Sequence, residues 1–184
     1  MLNHLNQEQY AFVKYLTELG TEDNRGTLAV LRRGLMGDPV QDLNLYRFVA
    51  RRVPEADRGT PREGVYYLIA ALYALHPMDT KEGNMGSHLK LAAVKREDAD
   101  AAERRFTALL NTRMDDLASP LRQAVTLVKQ QELPINWTAL FADLLHWDHP
   151  QKIVQRAWAN NFWAYERPAE AQTDNQLVET HKEN

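Results

Sequence analysis

The stretch Thr60-Pro61-Arg62-Glu63-Gly64-Val65-Tyr66-Tyr67-Leu68-Ile69-Ala70-Ala71-Leu72-Tyr73-Ala74-Leu75-His76-Pro77 decides how this chain folds. Thr60 can cap a helix, Pro61 suits the first helical position, and Glu63 can reach back to the cap amide. The run from Val65 to Leu75 is apolar on nearly every face. Such a helix is stable only when neighbours enclose it, which predicts the centre of a helical bundle. At 11 residues it is too short to cross a bilayer. His76-Pro77 stops it, because proline disfavours a helical residue before it.

Working outward, the same three-and-four spacing recurs on both sides. Leu5, Phe12, Val13, Leu16 and Leu19 predict a helix over 5–19 ended by Gly20. Leu28, Leu31 and Leu35 predict a second, closed by Gly37-Asp38-Pro39, and Leu45, Phe48, Val49 and Val53 a third, ended by Pro54. Downstream, Gly83-Asn84-Met85-Gly86 reads as a loop with Ser87 as a cap for a helix through Val94. A helix from Asp98 to Thr112 follows, with acids in its first turn. Ser119-Pro120 begins the next and Pro134 breaks it. Asn136 caps one through Leu145, and His149-Pro150 begins the last. No alternating strand pattern occurs. The expected fold is all-α, a bundle of about nine helices over residues 1–165, packed as two subdomains with an internal division near 76–88. From Glu166 the chain turns polar and acidic, which predicts a disordered tail over 166–184.

The composition narrows the chemistry. A chain of 184 residues can build a full core, and the absence of cysteine excludes disulfides, thiolate metal sites and a cysteine nucleophile. The segment from Met1 to Glu8 lacks the basic patch and apolar run of a signal peptide, so a soluble, cytoplasmic protein with no membrane partner is expected. Phosphate-loop, serine-hydrolase and zincin motifs are absent. The two serines, Ser87 and Ser119, read as helix caps. Asp143, His146 and His149 form the one cluster resembling a metal site. No second segment offers further ligands at a recognisable spacing, and structural roles fit these residues better. Neither an enzyme nor a cofactor is expected. The four tryptophans, Trp137, Trp147, Trp158 and Trp163, have helical spacing and read as core rather than as base-stacking platforms.

Charge is the remaining signal. The net charge of -3 is unlike that of a nucleic-acid binder, but the charges are segregated. Residues 25–52 carry six arginines against Asp38 and Asp42, and residues 83–113 are also net basic, whereas the tail from 166 is net acidic. Arg47 and Arg51 are four apart, as are Lys152 and Arg156; Arg122 and Lys129 are seven apart, so each pair shares a helix face. From composition alone, solvated faces or salt bridges account for these residues. The excess of arginine over lysine favours phosphate, whose oxygens match the guanidinium fork.

Several blocks resemble a known family. Gly26-Thr27-Leu28-Ala29-Val30-Leu31-Arg32-Arg33-Gly34 is similar to the Leu-Arg-Arg-Gly segment of the CasB family, the small subunit of type I-E CRISPR Cascade. The stretch from Tyr67 to Pro77 resembles its central helix ending in His-Pro, and that from Arg104 to Leu110 its next block. Ile135-Asn136-Trp137, Asp143-Leu144, Trp147, the run from Val154 to Ala159 and Phe162-Trp163 resemble its C-terminal block. The blocks run from residue 26 to 163 in the family's order. The resemblance implies a non-enzymatic helical subunit, present in two copies beside the large subunit and the crRNA backbone subunits. It also implies weak, sequence-independent nucleic-acid binding that holds the displaced non-target DNA strand and stabilises the R-loop. The expected phosphate contacts are Arg32, Arg33, Arg104 and Arg105, which fall inside matching blocks, with Arg51, Arg113 and Arg122 added on helix-face geometry. A structural adaptor whose arginines meet protein neighbours is the main alternative, and a metal-dependent helical enzyme the remoter one.

Overall fold

The computed structural model describes residues 5–21, 24–37, 42–96 and 99–163. Among them are nine α-helices: α1 (Gln7–Thr21), α2 (Arg25–Arg33), α3 (Leu43–Val49), α4 (Pro61–Leu75), α5 (Met85–Arg96), α6 (Ala99–Leu110), α7 (Ala118–Gln130), α8 (Trp137–Leu144) and α9 (Ile153–Phe162). Short 3-10 turns follow α2 and α3 and precede α4 and α7. Among the described residues the only β pairing is a single parallel bridge between Asp79 and Ile135. No helix among them is long and apolar enough to cross a membrane. The acidic tail over 166–184 lies outside the described residues.

Helix α4 is the axis of the bundle. Every residue from Val65 to Ala74 is buried, and α1, α2, α3, α7 and α8 all pack on it. Its start is fixed by side chains, because the first helical amides have no partner within the helix. Thr60 Oγ1 accepts from the Arg62 amide at 3.2 Å. Glu63 caps one residue further out than the sequence suggests: its Oε2 accepts from the Gly59 amide at 2.7 Å, while the Thr60 amide donates to the Asp57 carbonyl. Asp57 also accepts from the buried Tyr66 hydroxyl at 2.7 Å and pairs with Arg62 Nε at 2.9 Å. Burial first, and then the Asp57 carboxylate, push the Tyr66 phenol well above its usual pKa. Phe12 of α1, Tyr66 of α4 and Phe141 of α8 meet with ring centroids 4.9–5.5 Å apart, in the tilted geometries that aromatic quadrupoles favour.

Three sequence expectations are corrected. Gly20 does not end α1, which runs on to Thr21. A Cβ at this position would overlap the Tyr73 hydroxyl, so glycine serves close approach. Ser87 lies inside α5, and the cap is Asn84, whose Oδ1 accepts from the Ser87 amide while Ser87 Oγ accepts from the Asn84 amide. Ser119 lies within α7, which starts at Ala118 without a side-chain cap. The expected cap of α8 is present: Asn136 Oδ1 accepts from the Ala139 amide at 2.9 Å.

Where α4 ends, the chain is clasped to the segment entering α8. His76 Nε2 lies 2.6 Å from the Leu133 carbonyl and donates to it. The Ile135 amide donates to Met78 O, the Thr80 amide to Ile135 O and the Trp137 indole to Met78 O. The Asn136 amide donates to His88 Nε2 at 3.1 Å, so that nitrogen carries no proton. Beyond the clasp, α5 and α9 cross closely at Gly86. A Cβ there would overlap the Trp158 carbonyl oxygen. Backbone cannot retreat as a side-chain tip can, so only glycine fits.

Two outcomes follow from this packing. Gly86→Ala should cost about 3 kcal/mol by overpacking, lowering Tm by about 6–12 °C in a chain of this size. Gly26→Ala, where a Cβ meets nothing within 4 Å, should instead add about 0.5–1 kcal/mol through helix propensity. Calorimetry giving both variants the same sign would contradict the close crossing. The second outcome concerns pH. Burial holds the His88 imidazole below its ordinary pKa; burial and then the Lys129 charge do the same at His76, against the opposing Leu133 hydrogen bond. A depressed histidine stabilises the fold while neutral. That stability is complete above the ordinary value of about 6.5 and is lost as pH falls through the folded-state value. Thermal melts at about pH 7.5 and about pH 5 should show a smaller acid loss for His88→Gln than for the wild type; an equal loss would contradict it.

Candidate nucleic-acid interface

All seven candidate arginines, Arg32, Arg33, Arg51, Arg104, Arg105, Arg113 and Arg122, are exposed. Local structure puts them there. Arg32 and Arg33 close α2, whose inward residue is the fully buried Leu31. Arg104 and Arg105 precede Phe106, which α6 turns into the core with 2% of its surface exposed. Among the described residues no carboxylate pairs with Arg32, Arg33, Arg51, Arg104 or Arg105. Arg113 faces Asp115 at 3.8 Å with both side chains in solvent, a pairing that water and salt largely screen.

Arg105 and Arg122 line one groove, between α6 and α7. Arg122 Nη1 also donates to the Leu35 carbonyl at 3.2 Å, just beyond Arg33, and so joins this groove to the end of α2. Arg104 stands apart, in a shallow depression with Asp100, Glu103 and Thr107. Arg51 does not share a continuous α-helical face with Arg47, because α3 gives way to a 3-10 turn at Ala50–Arg52.

Other basic residues have structural work. The Arg52 guanidinium lies 3.3 Å from the Tyr15 ring centroid and donates to Phe48 O. Arg47 lies over Phe48 at 4.5 Å, and Arg58 Nε donates to Val53 O. Lys129, on the same face of α7 as Arg122, donates through Nζ to Leu75 O at 2.9 Å, neutralising the carbonyl end of α4. Sequence spacing pairs Arg122 with Lys129 correctly as neighbours. Their shared service as donors to backbone carbonyls has no sequence signal, since it depends on where α2 and α4 end.

The residues of the metal-site alternative are each engaged elsewhere. Asp143 Oδ2 accepts from the Trp158 indole at 2.6 Å, His146 Nδ1 meets Ala142 O at 2.9 Å, and His149 Nδ1 accepts from the Gln151 amide at 3.2 Å. Among the described residues no three His, Asp or Glu side chains converge on a metal position. Trp137, Trp147 and Trp158 are buried as expected. Trp163 is not: it is 45% exposed, packs edge-on against Phe106 and donates to Glu103 Oε1 at 3.1 Å.

Residues 27–163, a span containing all seven arginines, match the family described as CRISPR-associated protein Cse2. A CRISPR-associated protein Cse2 of Thermus thermophilus is 33% identical over 135 residues, covering 73% of this chain and 77% of that protein. The crystal structure of CasB from Thermus thermophilus superimposes with a TM-score of 0.75 at 30% identity, over 85% of this chain and 98% of that one. A chain of a CRISPR RNA-guided surveillance complex superimposes with a TM-score of 0.72 at 28% identity, over 85% of this chain and 91% of that one.

The arginines should separate by stability. Arg122→Ala removes a donor from Leu35 O and should cost about 1 kcal/mol in urea unfolding, whereas Arg105→Ala should stay within about 0.5 kcal/mol of wild type. Equal losses would contradict the division between clasping and free cations.

Proposed function

The chain belongs to the CRISPR-associated Cse2 family, and from that premise we propose that it is a non-catalytic subunit of a CRISPR Cascade surveillance complex that holds the displaced non-target DNA strand. The observation that carries this reading is the set of exposed guanidinium groups without carboxylate partners among the described residues: Arg32, Arg33, Arg51, Arg104 and Arg105. The displaced strand differs in sequence with every target, so whatever holds it must grip phosphates and ignore bases. Spaced arginines on a rigid helical surface meet that need without a pocket, and a net charge of -3 does not prevent it. R-loop formation exchanges one duplex for another of nearly equal stability, so a few backbone contacts suffice to tip it. The large and backbone subunits, a second copy of this chain, the crRNA and the displaced strand are the partners in this reading.

An adaptor role has one observation in its favour. Met36, Leu43 and Tyr46, beside the arginine-rich segment, are 82%, 80% and 56% exposed, which suits contact with a protein neighbour. Variants at these positions that lose assembly yet keep DNA affinity would identify it.

The strand-holding role is tested with the purified chain and labelled single strands of unrelated sequence. The triple variant Arg32→Ala, Arg33→Ala, Arg105→Ala should bind all of them more weakly to the same degree. The slope of log affinity against log salt should flatten by about 2, at about 0.7 for each phosphate no longer gripped. Weakening confined to one sequence, or unchanged binding, would contradict it.

A further inference from the structure

Helices α6 and α7 border a groove. It measures about 610 Å³. Helices α6 and α7 both rest on α5, and Leu89 of α5 lines the groove with Phe106, Leu109, Leu127 and Phe162. Arg105 and Arg122 stand along it; among the described residues Arg105 has no carboxylate partner, and Arg122 donates through Nη1 to Leu35 O. An apolar floor with cationic side chains fits a peptide carrying aliphatic residues flanked by acids.

We propose that the occupant is this chain's own tail, the segment 170–179, with Leu177 and Val178 on the floor and the acids toward Arg105 and Arg122. Phe162 lines the groove and Trp163 is anchored to α6 through Glu103, so the last described residues lie beside the groove. Beyond Trp163, Leu177 and Val178 are the only large aliphatic residues, and Asp174 and Glu179 flank them. The tail from 166 holds Glu166, Glu170, Asp174, Glu179 and Glu183 against Arg167 and Lys182. Reach is ample. Fourteen residues from Trp163 to Leu177 give a flexible chain a root-mean-square span of about 20 Å, close to the roughly 18 Å length of a twelve-residue helix such as α6. Tethering at that range supplies an effective concentration of about a millimolar, enough for weak contacts to close the groove. A polar segment can order on such a surface even though it cannot build a core of its own.

The consequence, which rests on the strand-holding reading, is competition. While the tail's carboxylates occupy Arg105 and Arg122, phosphate cannot, and the strand must displace the tail.

The chain has no cysteine, so engineered pairs report without background. In the full-length protein, Ala108→Cys with Val178→Cys should close an intramolecular disulfide under mild oxidation. It should do so about tenfold faster than Lys14→Cys with Val178→Cys, whose partner lies on α1, because docking raises the local concentration. Adding Arg105→Glu or high salt should erase the difference. Equal rates for the two pairs would overturn the docking, as would a disulfide joining two chains, which would place the tail on a second copy. Competition is read separately. Glu170→Gln, Asp174→Asn and Glu179→Gln together should tighten binding of a labelled single strand. Fast cross-linking with no strand binding by any variant would leave the docking standing and overturn strand-holding.

Discussion

A helix without a polar face has to be enclosed on every side, and that constraint organises this molecule. Helix α4 buries ten consecutive residues, from Val65 to Ala74, and five other helices close around it. At roughly 25 cal/mol per Å² of apolar surface, such a burial is the largest favourable contribution an element of this length can make. It also creates an obligation, because the polar ends and the tyrosine hydroxyls of α4 must be satisfied inside the protein. Asp57 answers for Tyr66, Thr60 and Glu63 answer for the amino end, and Lys129 answers for the carbonyl end at Leu75.

The same obligation sorts the basic residues. Arg122 and Lys129 reach from one face of α7 to carbonyls at the ends of two other helices, and Arg52 and Arg58 are held by neighbouring backbone or rings. Among the described residues, those left without a carboxylate partner are a smaller set: Arg32 and Arg33 beside Leu31, Arg51 in the turn after α3, and Arg104 and Arg105 beside Phe106. These cations stand apart from the ones that clasp backbone. That separation suits the proposed role, in which one surface would hold a strand of any sequence while the fold stays indifferent to what is bound.

The elements were largely legible because their punctuation is local. Thr60-Pro61, Asn136 and His76-Pro77 state helix boundaries through the chemistry of single residues, and the spacing of Leu, Val and Phe does the rest. Where the local pattern misleads, the deciding partner is distant in sequence. Gly20 looks like a helix end, yet it faces Tyr73, and Gly86 looks like loop, yet it lets α5 touch Trp158. Trp163 shares the spacing of the core tryptophans but meets Glu103 at the surface. The clasp from His76 and Met78 to Leu133 and Ile135 likewise joins segments far apart in the chain and has no local signature. For the arginines, position and charge can be read from the chain alone. Only the folded structure divides those that clasp backbone from those that, among the described residues, do not.

The most direct test of the strand-holding account is the salt dependence of affinity for several labelled single strands of unrelated composition, measured by fluorescence anisotropy with the intact protein. The account predicts superimposable curves, weak affinity of roughly micromolar order at low salt, and a linear fall of log affinity with log salt whose slope corresponds to several phosphate contacts. A slope near zero, or curves that separate by sequence, would contradict it.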